Sequence, residues 1–283
     1  MIATPGQTIK LGLIGDNISR SKSPLLHRTA GRMAGLDVTY DRLIPRDLGL
    51  SFEETFAQAQ STGYRGINVT YPYKEVAARM VTIPDAKVGA IGAVNTVVFN
   101  ATGPEGHNTD YSGFKRAYRG VRGQTPPGKV CLIGAGGVGK AIAFALVDLG
   151  AEMLCIADLD LAKAEGLARS LRPFAKATRL VTGTDPVAMA QGAEGIVNCT
   201  PLGMIGIGGT PLPAQAMAGA AWCFDAVYTP VETTFLQDAG GAGLQIISGY
   251  ELFFGQGVDA WQIFTGAPVD QPALRRAIAD EPS

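Results

Sequence analysis

A glycine-rich turn in the second half of the chain constrains the fold more than any other feature. The apolar run KVCLI (129–133) leads directly into GAGGVG (134–139), and a helical pattern follows. In this G-x-G-x-x-G pattern the first glycine permits a tight turn, the second lets backbone approach a pyrophosphate, and the third lets helix and strand pack closely. The amino end of the helix adds unpaired N–H groups that bind phosphate. The pattern predicts a dinucleotide-binding Rossmann domain, with a purely structural turn as the alternative in a chain of 37 glycines.

An acidic residue bears on the choice of dinucleotide. Asp158 ends the next predicted strand, 19 residues after Gly139, where a carboxylate accepts hydrogen bonds from the adenosine ribose hydroxyls. The same carboxylate would repel the 2′-phosphate of NADP, and no Lys or Arg occupies positions 157–162 to compensate. The sequence therefore predicts NAD rather than NADP. The structural alternative is a helix cap, a role that Asp160 fits better than Asp158.

Short apolar runs alternate with helical patterns along the chain. In the first half the runs predict strands at 8–15, 38–45, 64–71 and 94–100. In the second half they predict strands at 129–133, 152–158, 179–183, 195–199, 222–227 and 244–248. Helical patterns occupy 24–34, 52–62, 140–149, 161–171 and 250–265, and a short terminal helix follows. This alternation favours an α/β fold with mostly parallel sheets.

The length of 283 residues suggests two domains, at about 150 residues each. The predicted division gives a substrate-binding domain to residues 1–110 and a Rossmann domain to residues 111–249. The helices within 250–283 are expected to pack back on the first domain. By composition, the best linker candidate is RGQTPPG (122–128), which is rich in glycine, proline and polar residues.

Charge and composition exclude several classes of function. The 24 Lys and Arg nearly balance the 25 Asp and Glu, which argues against nucleic-acid binding by general phosphate attraction. Only two histidines are present, so no metal site is predicted. The four cysteines form no CxxC pair and lie in or beside apolar runs, which indicates buried free thiols. With no signal-peptide pattern and no apolar run of about 18 residues, we expect a cytoplasmic monomer or homodimer without membrane contact.

Two serines stand at the start of the first predicted helix. Ser21 and Ser23 belong to the string SRSKSP, just after the first strand. Hydroxyls and helix N–H groups converge at such a place, which makes a serine pair a good receptor for a carboxylate. The structural alternative is that Ser23 is the N-cap of the helix and Pro24 its first residue.

Further polar residues follow the predicted strands of the first half. Asn68, Thr70 and Lys74 stand at and just beyond the end of the third strand, and Asn95 and Asp110 are expected to repeat the arrangement after the next strands. The carboxyl ends of strands are where α/β sheets bind ligands. A lysine and an aspartate brought together there can relay a proton while a neighbouring nicotinamide exchanges hydride. The alternative for Lys74 is a solvated surface charge.

Eight strings along the chain together resemble one enzyme family. SKSPLLH, GINVTYPYK, GAVNTV, NTDYSGF, GAGGVGKA, NCTPLGM, YTP and GYELFFGQ fall in this order within residues 8–262. The ordered set resembles the shikimate/quinate dehydrogenase family. The resemblance implies reversible oxidation of a ring hydroxyl of shikimate, or of quinate, to a ketone. It also implies that Lys74 and Asp110 are the catalytic pair.

The resemblance further implies the binding residues, none of which is a metal ligand. The substrate's carboxylate and hydroxyls would be bound by Ser21, Ser23, Thr70, Asn95 and Gln256, with Tyr228 near the substrate. The dinucleotide site would be lined by Gly134, Ala135, Gly136, Gly137, Val138, Asp158, Thr200, Pro201, Leu202, Gly203, Val227 and Gly249.

The chain departs from the family's biosynthetic pattern at several places. Those members carry an arginine for the NADP phosphate after the second Rossmann strand, whereas this chain has ADLD (157–160), similar to the NAD-using quinate/shikimate members. The family's usual NTDGxG is NTDYSG here, so the local backbone must accept the side chain of Tyr111. Ser23 completes a serine pair like that of the shikimate-type members. At the same place some quinate-preferring members have a pattern that resembles Ser-x-Thr.

Two other functions stay open at this point. One is a different dehydrogenase on the same two-domain plan, acting on an aminated shikimate analogue or a folate one-carbon carrier. The polar set of serine, threonine, asparagine and glutamine argues against the folate carrier, which needs a longer and more apolar cleft. The other is a non-enzymatic dinucleotide sensor, which would be expected to lack Lys74 or Asp110. The Gly- and Pro-rich loop 201–213 is either a mobile lid or a plain surface connection.

Overall fold

The structure is a computed structural model that describes residues 8–279. These residues divide into two units: unit 1 runs to Thr109 and resumes at Gln256, and unit 2 comprises Asp110–Gly255. The segment 122–128 lies inside unit 2, so its prediction as an interdomain linker is wrong. Both crossings between the units fall within helices, and for that reason no loop rich in proline and glycine marks them.

The first part of the chain alternates strands with helices. Its elements are β1 (Ile9–Ile14), α1 (Ser23–Met33), β2 (Val38–Leu43), α2 (Pro45–Leu48), α3 (Phe52–Ser61), β3 (Gly66–Val69), α4 (Lys74–Ala78), α5 (Ala86–Ile91), β4 (Thr96–Asn100) and β5 (Gly103–His107). The strands and helices predicted here are confirmed. The sequence analysis missed β5, because its residues GPEGH lack the β-branched and aromatic side chains typical of strands.

The sheet of unit 1 has the strand order β2-β1-β3-β4-β5. Strand β1 is parallel to β2 and β3, whereas β4 is antiparallel to β3 and to β5. Because β4 is reversed, its amino end lies level with the carboxyl ends of β3 and β5. Asn68, Thr96 and His107 are register neighbours at this end of the sheet. We call it the carboxyl edge of unit 1.

Unit 2 is a doubly wound parallel sheet. After α6 (Thr109–Arg122), its elements are β6 (Lys129–Ile133), α7 (Gly137–Asp148), β7 (Met153–Ala157), α8 (Leu161–Leu171), β8 (Arg179–Gly183), α9 (Pro186–Ala190), β9 (Gly195–Asn198), β10 (Trp222–Asp225), α10 (Thr234–Gly241) and β11 (Gln245–Ile247). Helix α11 (Gly249–Thr265) begins in unit 2 and continues into unit 1. The strand order is β11-β10-β9-β6-β7-β8, and every pairing is parallel. After β6 the chain adds β7 and β8 on one side of it, and then β9, β10 and β11 on the other side. This change of direction creates a topological switch point between β6 and β9. The prediction of an α/β fold with a Rossmann domain is confirmed.

Each unit buries its own apolar core. The core of unit 1 includes Phe52, Phe56, Ile67, Val69 and Val97, and that of unit 2 includes Cys131, Ile196, Cys223, Phe235 and Leu236. The terminal helix α12 (Gln271–Ala279) packs against α1 within unit 1. Three of the four free cysteines are buried and Cys199 is half-buried, and burial raises the pKa of the Cys131 and Cys223 thiols to about 12. Across residues 8–279, no helix combines the length and apolar character needed to span a membrane.

Candidate active site

The two predicted serines lie together at the start of α1. The Ser23 N–H donates to Ser21 Oγ at 3.2 Å, and the Ser21 hydroxyl donates to Ser23 Oγ at 3.1 Å. Arg42 fixes the turn from β2, since its Nη2 donates to the Ser21 carbonyl oxygen at 2.8 Å. The structural alternative, in which Ser23 is the N-cap, is contradicted. Ser23 is already helical, Lys22 occupies the cap position without a side-chain bond, and Ser21 satisfies the first helical N–H instead.

A buried lattice of amides and hydroxyls lies at the carboxyl edge of unit 1. Tyr40 Oη donates to Asn68 Oδ1 at 2.8 Å, and Asn68 Nδ2 donates to the Asn95 carbonyl oxygen and to Thr96 Oγ1. Asn95 Oδ1 in turn accepts from the N–H of Thr109 at 2.8 Å. Sequence reasoning missed Tyr40 and Thr96, because only strand order and register bring them to Asn68, and it missed Thr109, which bonds to Asn95 from the start of α6.

Asn95 reaches this edge by a different route from the one expected. It precedes β4 rather than following a strand, and it lies at the carboxyl edge because β4 is antiparallel. Its side-chain oxygen accepts from Thr96 and Thr109, which leaves the amide nitrogen to donate elsewhere. That nitrogen donates to Gln256 Oε1 at 2.9 Å. The structure thus brings two predicted substrate residues, Asn95 and Gln256, into direct contact.

Lys74 is the first residue of α4, just past the end of β3, and only 8% of it is exposed. This burial contradicts the alternative of a solvated surface charge. The preceding residue, Tyr73, holds the start of the helix: its hydroxyl donates to Asp16 Oδ1 at 2.6 Å, and its ring stacks on Phe52. The hydrogen bond to the Asp16 carboxylate raises the pKa of Tyr73 to about 12, so the phenol keeps its proton. Thr70 follows β3 directly and is half-buried.

Asp110 is the first residue of unit 2 and lies in the first turn of α6, where it is 2% exposed. The next residue, Tyr111, stands where the family has glycine. Its backbone is helical, so a side chain fits, and its hydroxyl donates to Asp148 near the end of α7. Lys115 also contacts this pair, 3.2 Å from the Tyr111 hydroxyl and 3.3 Å from the Asp148 carboxylate. The side chain that replaces glycine therefore connects the first turn of α6 to α7.

The three motif glycines have the local geometry that a dinucleotide turn requires. Gly134 has φ +99°, a value that side chains rarely adopt. A Cβ on Gly139 would lie 1.9 Å from the Gly134 carbonyl oxygen, so helix and strand can pack only with glycine here. Gly136, just before α7, faces open space, where a Cβ would meet nothing within 4 Å. The open backbone at the amino end of α7 fits a bound pyrophosphate.

Asp158 and Asp160 have different roles at the end of β7. Asp160 is the N-cap of α8 and accepts from the Ala162 N–H, as its position predicts. Asp158 is not a cap: its Oδ2 accepts from the Ala135 N–H at 2.8 Å, and its Oδ1 accepts from the Asp160 N–H at 2.9 Å. Each carboxylate oxygen has two acceptor sites, so one on each is left to accept from a ribose hydroxyl. Leu159 between them is 94% exposed and brings no charge to a phosphate.

On the other side of the switch point, the remaining predicted cofactor residues surround the ends of β9 and β10. Asn198 Oδ1 accepts from the N–H and the hydroxyl of Thr200, which fixes the start of the segment Thr200–Gly203. A Cβ on Gly249 would lie 2.5 Å from the Val227 carbonyl oxygen, so glycine allows this close approach. The ring of Tyr228 stacks on Phe253 with centroids 5.0 Å apart.

The loop 201–213 continues from this segment. It carries its own backbone hydrogen bonds, among them Gly203 N–H to the Gly208 oxygen at 2.9 Å. A further bond joins the Ile205 N–H to the Thr229 oxygen at 3.0 Å. The first half of the loop is thus tied within unit 2, and its role as a lid stays a prediction. Among the described residues, no group of three or more His, Cys, Asp or Glu side chains could hold a metal ion.

Comparison with known proteins identifies the family. The shikimate dehydrogenase substrate-binding domain matches residues 13–97. A quinate/shikimate dehydrogenase (NAD⁺) of Corynebacterium efficiens is 38% identical over 275 residues, which cover 95% of this chain and 96% of the relative. A shikimate dehydrogenase (NADP⁺) of Pseudarthrobacter chlorophenolicus is 35% identical, with 94% and 92% covered.

The fold agrees with this result. The structure of quinate dehydrogenase from Corynebacterium glutamicum in complex with NAD superposes with a TM-score of 0.87 at 34% identity, covering 97% of this chain and 99% of that one. The motifs, the two-unit architecture and the similarity over nearly the whole length agree: the chain belongs to the shikimate/quinate dehydrogenase family.

Proposed function

We propose that this chain interconverts shikimate and 3-dehydroshikimate, and quinate and 3-dehydroquinate, with NAD as the preferred cofactor. Membership of the dehydrogenase family supports the reaction class: NAD(P)-dependent oxidation of a CH–OH group. The observation that carries the residue assignment is a lysine buried beside an edge of neutral amides and hydroxyls. Lysine side chains are rarely buried, so a buried lysine just past the carboxyl end of a strand, where α/β sheets bind ligands, is a candidate for the chemistry.

Lys74 and Asp110 are the proposed catalytic pair. When bound, the nicotinamide ring supplies or accepts the hydride at the ring carbon of the substrate. In the oxidation direction the Lys74 amine would accept the proton that the hydroxyl loses as it becomes a ketone, and in the reduction the resulting ammonium would return that proton to the oxygen. Asp110 would stabilise the ammonium that forms, because it brings a negative charge. Both side chains are buried, which limits the access of water to them.

The remaining residues of unit 1 would bind the rest of a hydroxylated ring acid. Ser21 and Ser23 present two hydroxyls, 3.1 Å apart, at the amino end of α1, where the helix dipole favours a carboxylate. Asn95 and Gln256 are hydrogen-bonded to each other and are assigned to the ring hydroxyls, together with Thr70. Tyr228, from unit 2, is assigned a place near the substrate.

The dinucleotide would bind at the carboxyl ends of the unit 2 strands. The turn Gly134–Val138 and the amino end of α7 take the pyrophosphate, and Asp158 takes the adenosine ribose. The two backbone N–H groups that hold Asp158 keep its carboxylate in place, where a 2′-phosphate would meet like charge. Support for NAD comes from this geometry and from the exposed, uncharged Leu159 beside it. Relatives that use either cofactor occur in the family.

The test is a set of initial-rate measurements with NAD and NADP against shikimate, quinate and aminoshikimate. We expect oxidation of shikimate and quinate, with kcat/KM at least about tenfold higher for NAD, a preference of about 1.4 kcal/mol. Asp158→Asn should reduce that preference, and Asp158→Asn with Leu159→Arg should begin to reverse it, because the arginine supplies a partner for the phosphate.

The matched control is Asp160→Ala, which removes the side-chain cap of α8 but keeps the backbone N–H that donates to Asp158. It should lower stability while leaving the cofactor ratio unchanged. Preference for NADP in the wild type would overturn the role of Asp158 and point to Lys140 or Lys163 as the phosphate reader. Oxidation of aminoshikimate alone would overturn the substrate assignment.

A further inference from the structure

We infer that Asp225 is a positioning residue that fixes the segments around the nicotinamide half of the dinucleotide site. The inference rests on the proposed function, since it takes Thr200–Gly203, Val227 and Gly249 as cofactor residues. In a doubly wound sheet the two halves of a dinucleotide bind on opposite sides of the switch point. Asp158, the proposed ribose ligand, follows β7 on one side. The segments after β9 and β10 lie on the other side and belong to the nicotinamide half.

Asp225 is the last residue of β10 and has no exposed surface. Its Oδ1 accepts from the Val227 N–H at 3.0 Å and from Asn198 Nδ2 at 2.9 Å. Its Oδ2 accepts from the Thr233 hydroxyl at 2.5 Å. One buried carboxylate therefore connects the end of β9, the segment after β10 and the start of α10.

Asn198 extends the connection to the next cofactor segment. It is the register neighbour of Asp225 and is also fully buried. While its Nδ2 donates to Asp225, its Oδ1 accepts from the Thr200 N–H at 2.9 Å and from the Thr200 hydroxyl at 2.7 Å. A carboxylate can only accept hydrogen bonds, so the amide nitrogen of Asn198, and not its oxygen, must face Asp225. The amide oxygen of Asn198 is then left to accept from Thr200. Asp225 thereby sets the amide orientation that holds Thr200.

The opening residue of α11 packs against the same strand end. A Cβ on Gly249 would lie 2.7 Å from the Asp225 carbonyl oxygen. Segments from three different connections thus meet around one residue. Burial raises the pKa of Asp225, while the bonds from Thr233, Val227 and Asn198 oppose that shift. The carboxylate and its donors depend on one another, so removing one donor should loosen the whole arrangement.

Thr233 offers the sharpest test, because its hydroxyl lies outside the proposed cofactor residues. Thr233→Val removes the donor to Asp225 at nearly constant volume, and Thr233→Ser keeps it. The hydroxyl also caps α10 by accepting from the Leu236 N–H, so loss of a cap must be controlled. Asp185→Ala provides that control, since it removes the cap of α9 in the same unit without touching the network.

The measurements are dissociation constants of the full-length protein for NADH and for ADP, with thermal unfolding of each variant. We expect Thr233→Val to weaken NADH binding about tenfold and to leave ADP binding within about twofold of the wild type. Thr233→Ser and Asp185→Ala should bind both ligands like the wild type. Equal weakening of NADH and ADP, or unchanged NADH binding in Thr233→Val, would overturn the inference. A wild type that binds neither ligand would instead overturn the proposed function.

Discussion

The two units solve the problem of burying polar groups in different ways. At the carboxyl edge of unit 1, Tyr40, Asn68, Asn95 and Thr96 form a lattice of neutral amides and hydroxyls. At the ends of the unit 2 strands, the carboxylates of Asp158 and Asp225 accept from backbone and side-chain donors. A hydroxyl or amide can both donate and accept, whereas a carboxylate only accepts. The lattice of unit 1 suits a ring with several hydroxyls, and the carboxylates of unit 2 suit fixed N–H groups and ribose hydroxyls.

The two units also differ in the charge of their buried side chains. Among the described residues of unit 1, Lys74 is the buried cationic side chain. The buried imidazole of His27 is kept neutral. His27 stacks on Tyr40, the tyrosine that donates to Asn68. Burial lowers the pKa of His27 to about 3. Of these two buried side chains, only Lys74 is therefore expected to carry a positive charge at neutral pH.

The largest expected effect comes from removing that charge. Lys74→Ala should lower kcat by about 10²-fold or more, because the reacting oxygen loses the side chain with which it exchanges its proton. The dissociation constant for NADH should change little, since the dinucleotide is assigned to unit 2. Lys87→Ala, a lysine on α5 of the same unit, is the control. Steady-state rates and NADH titrations decide, and a Lys74→Ala enzyme with most of its turnover would remove Lys74 from the mechanism.

The neutral state of His27 can be tested by measuring stability at two pH values. Because the folded pKa of His27 lies below the unfolded value of 6.5, the unfolded chain binds the proton first as pH falls, and stability is lost from pH 6.5 toward pH 3. Between pH 7 and pH 4.5 the free energy of unfolding should fall by about 2–3 kcal/mol more in the wild type than in His27→Gln. Urea denaturation at the two pH values measures this. Equal losses in the two proteins would show that His27 does not titrate as proposed.

The smallest expected effect separates the two serines. Ser21→Ala and Ser23→Ala should each raise KM for shikimate, by about 1 kcal/mol of lost hydrogen bonding. Only Ser21→Ala should also lower the free energy of unfolding, by about 1 kcal/mol, because Ser21 rather than Ser23 satisfies the first helical N–H. Unchanged KM in both variants, measured at saturating NAD, would leave the serines a structural role alone.

Sequence reasoning succeeded where the determinants are local. The tight turn at Gly134, the close packing at Gly139 and the cap at Asp160 depend on residues a few positions apart, and the structure has each as predicted. It failed where a long-range pairing decides. The reversal of β4, which brings Asn95 to the carboxyl edge, leaves no mark in the periodicity of the chain.

Long-range pairing also explains which residues sequence reasoning missed. Tyr40 meets Asn68 across 28 residues, and Asn198 meets Asp225 across 27. Such contacts follow from strand order and register, neither of which a single sequence states. The misassigned cap is instructive in another way: serines two positions apart are equally plausible caps, and only the course of the turn shows which hydroxyl reaches the N–H.

The reversed strand β4 has a consequence for how this protein can change over evolution. It sorts the connections of unit 1 into two groups, one at the carboxyl edge with the predicted substrate residues and one at the opposite end of the sheet. The tight turn at Ala101 and Thr102 belongs to the second group and is exposed. Insertions and deletions at this turn are separated from the predicted substrate residues by the full length of the strands. We therefore expect changes in length to be tolerated better at that turn than at the carboxyl edge.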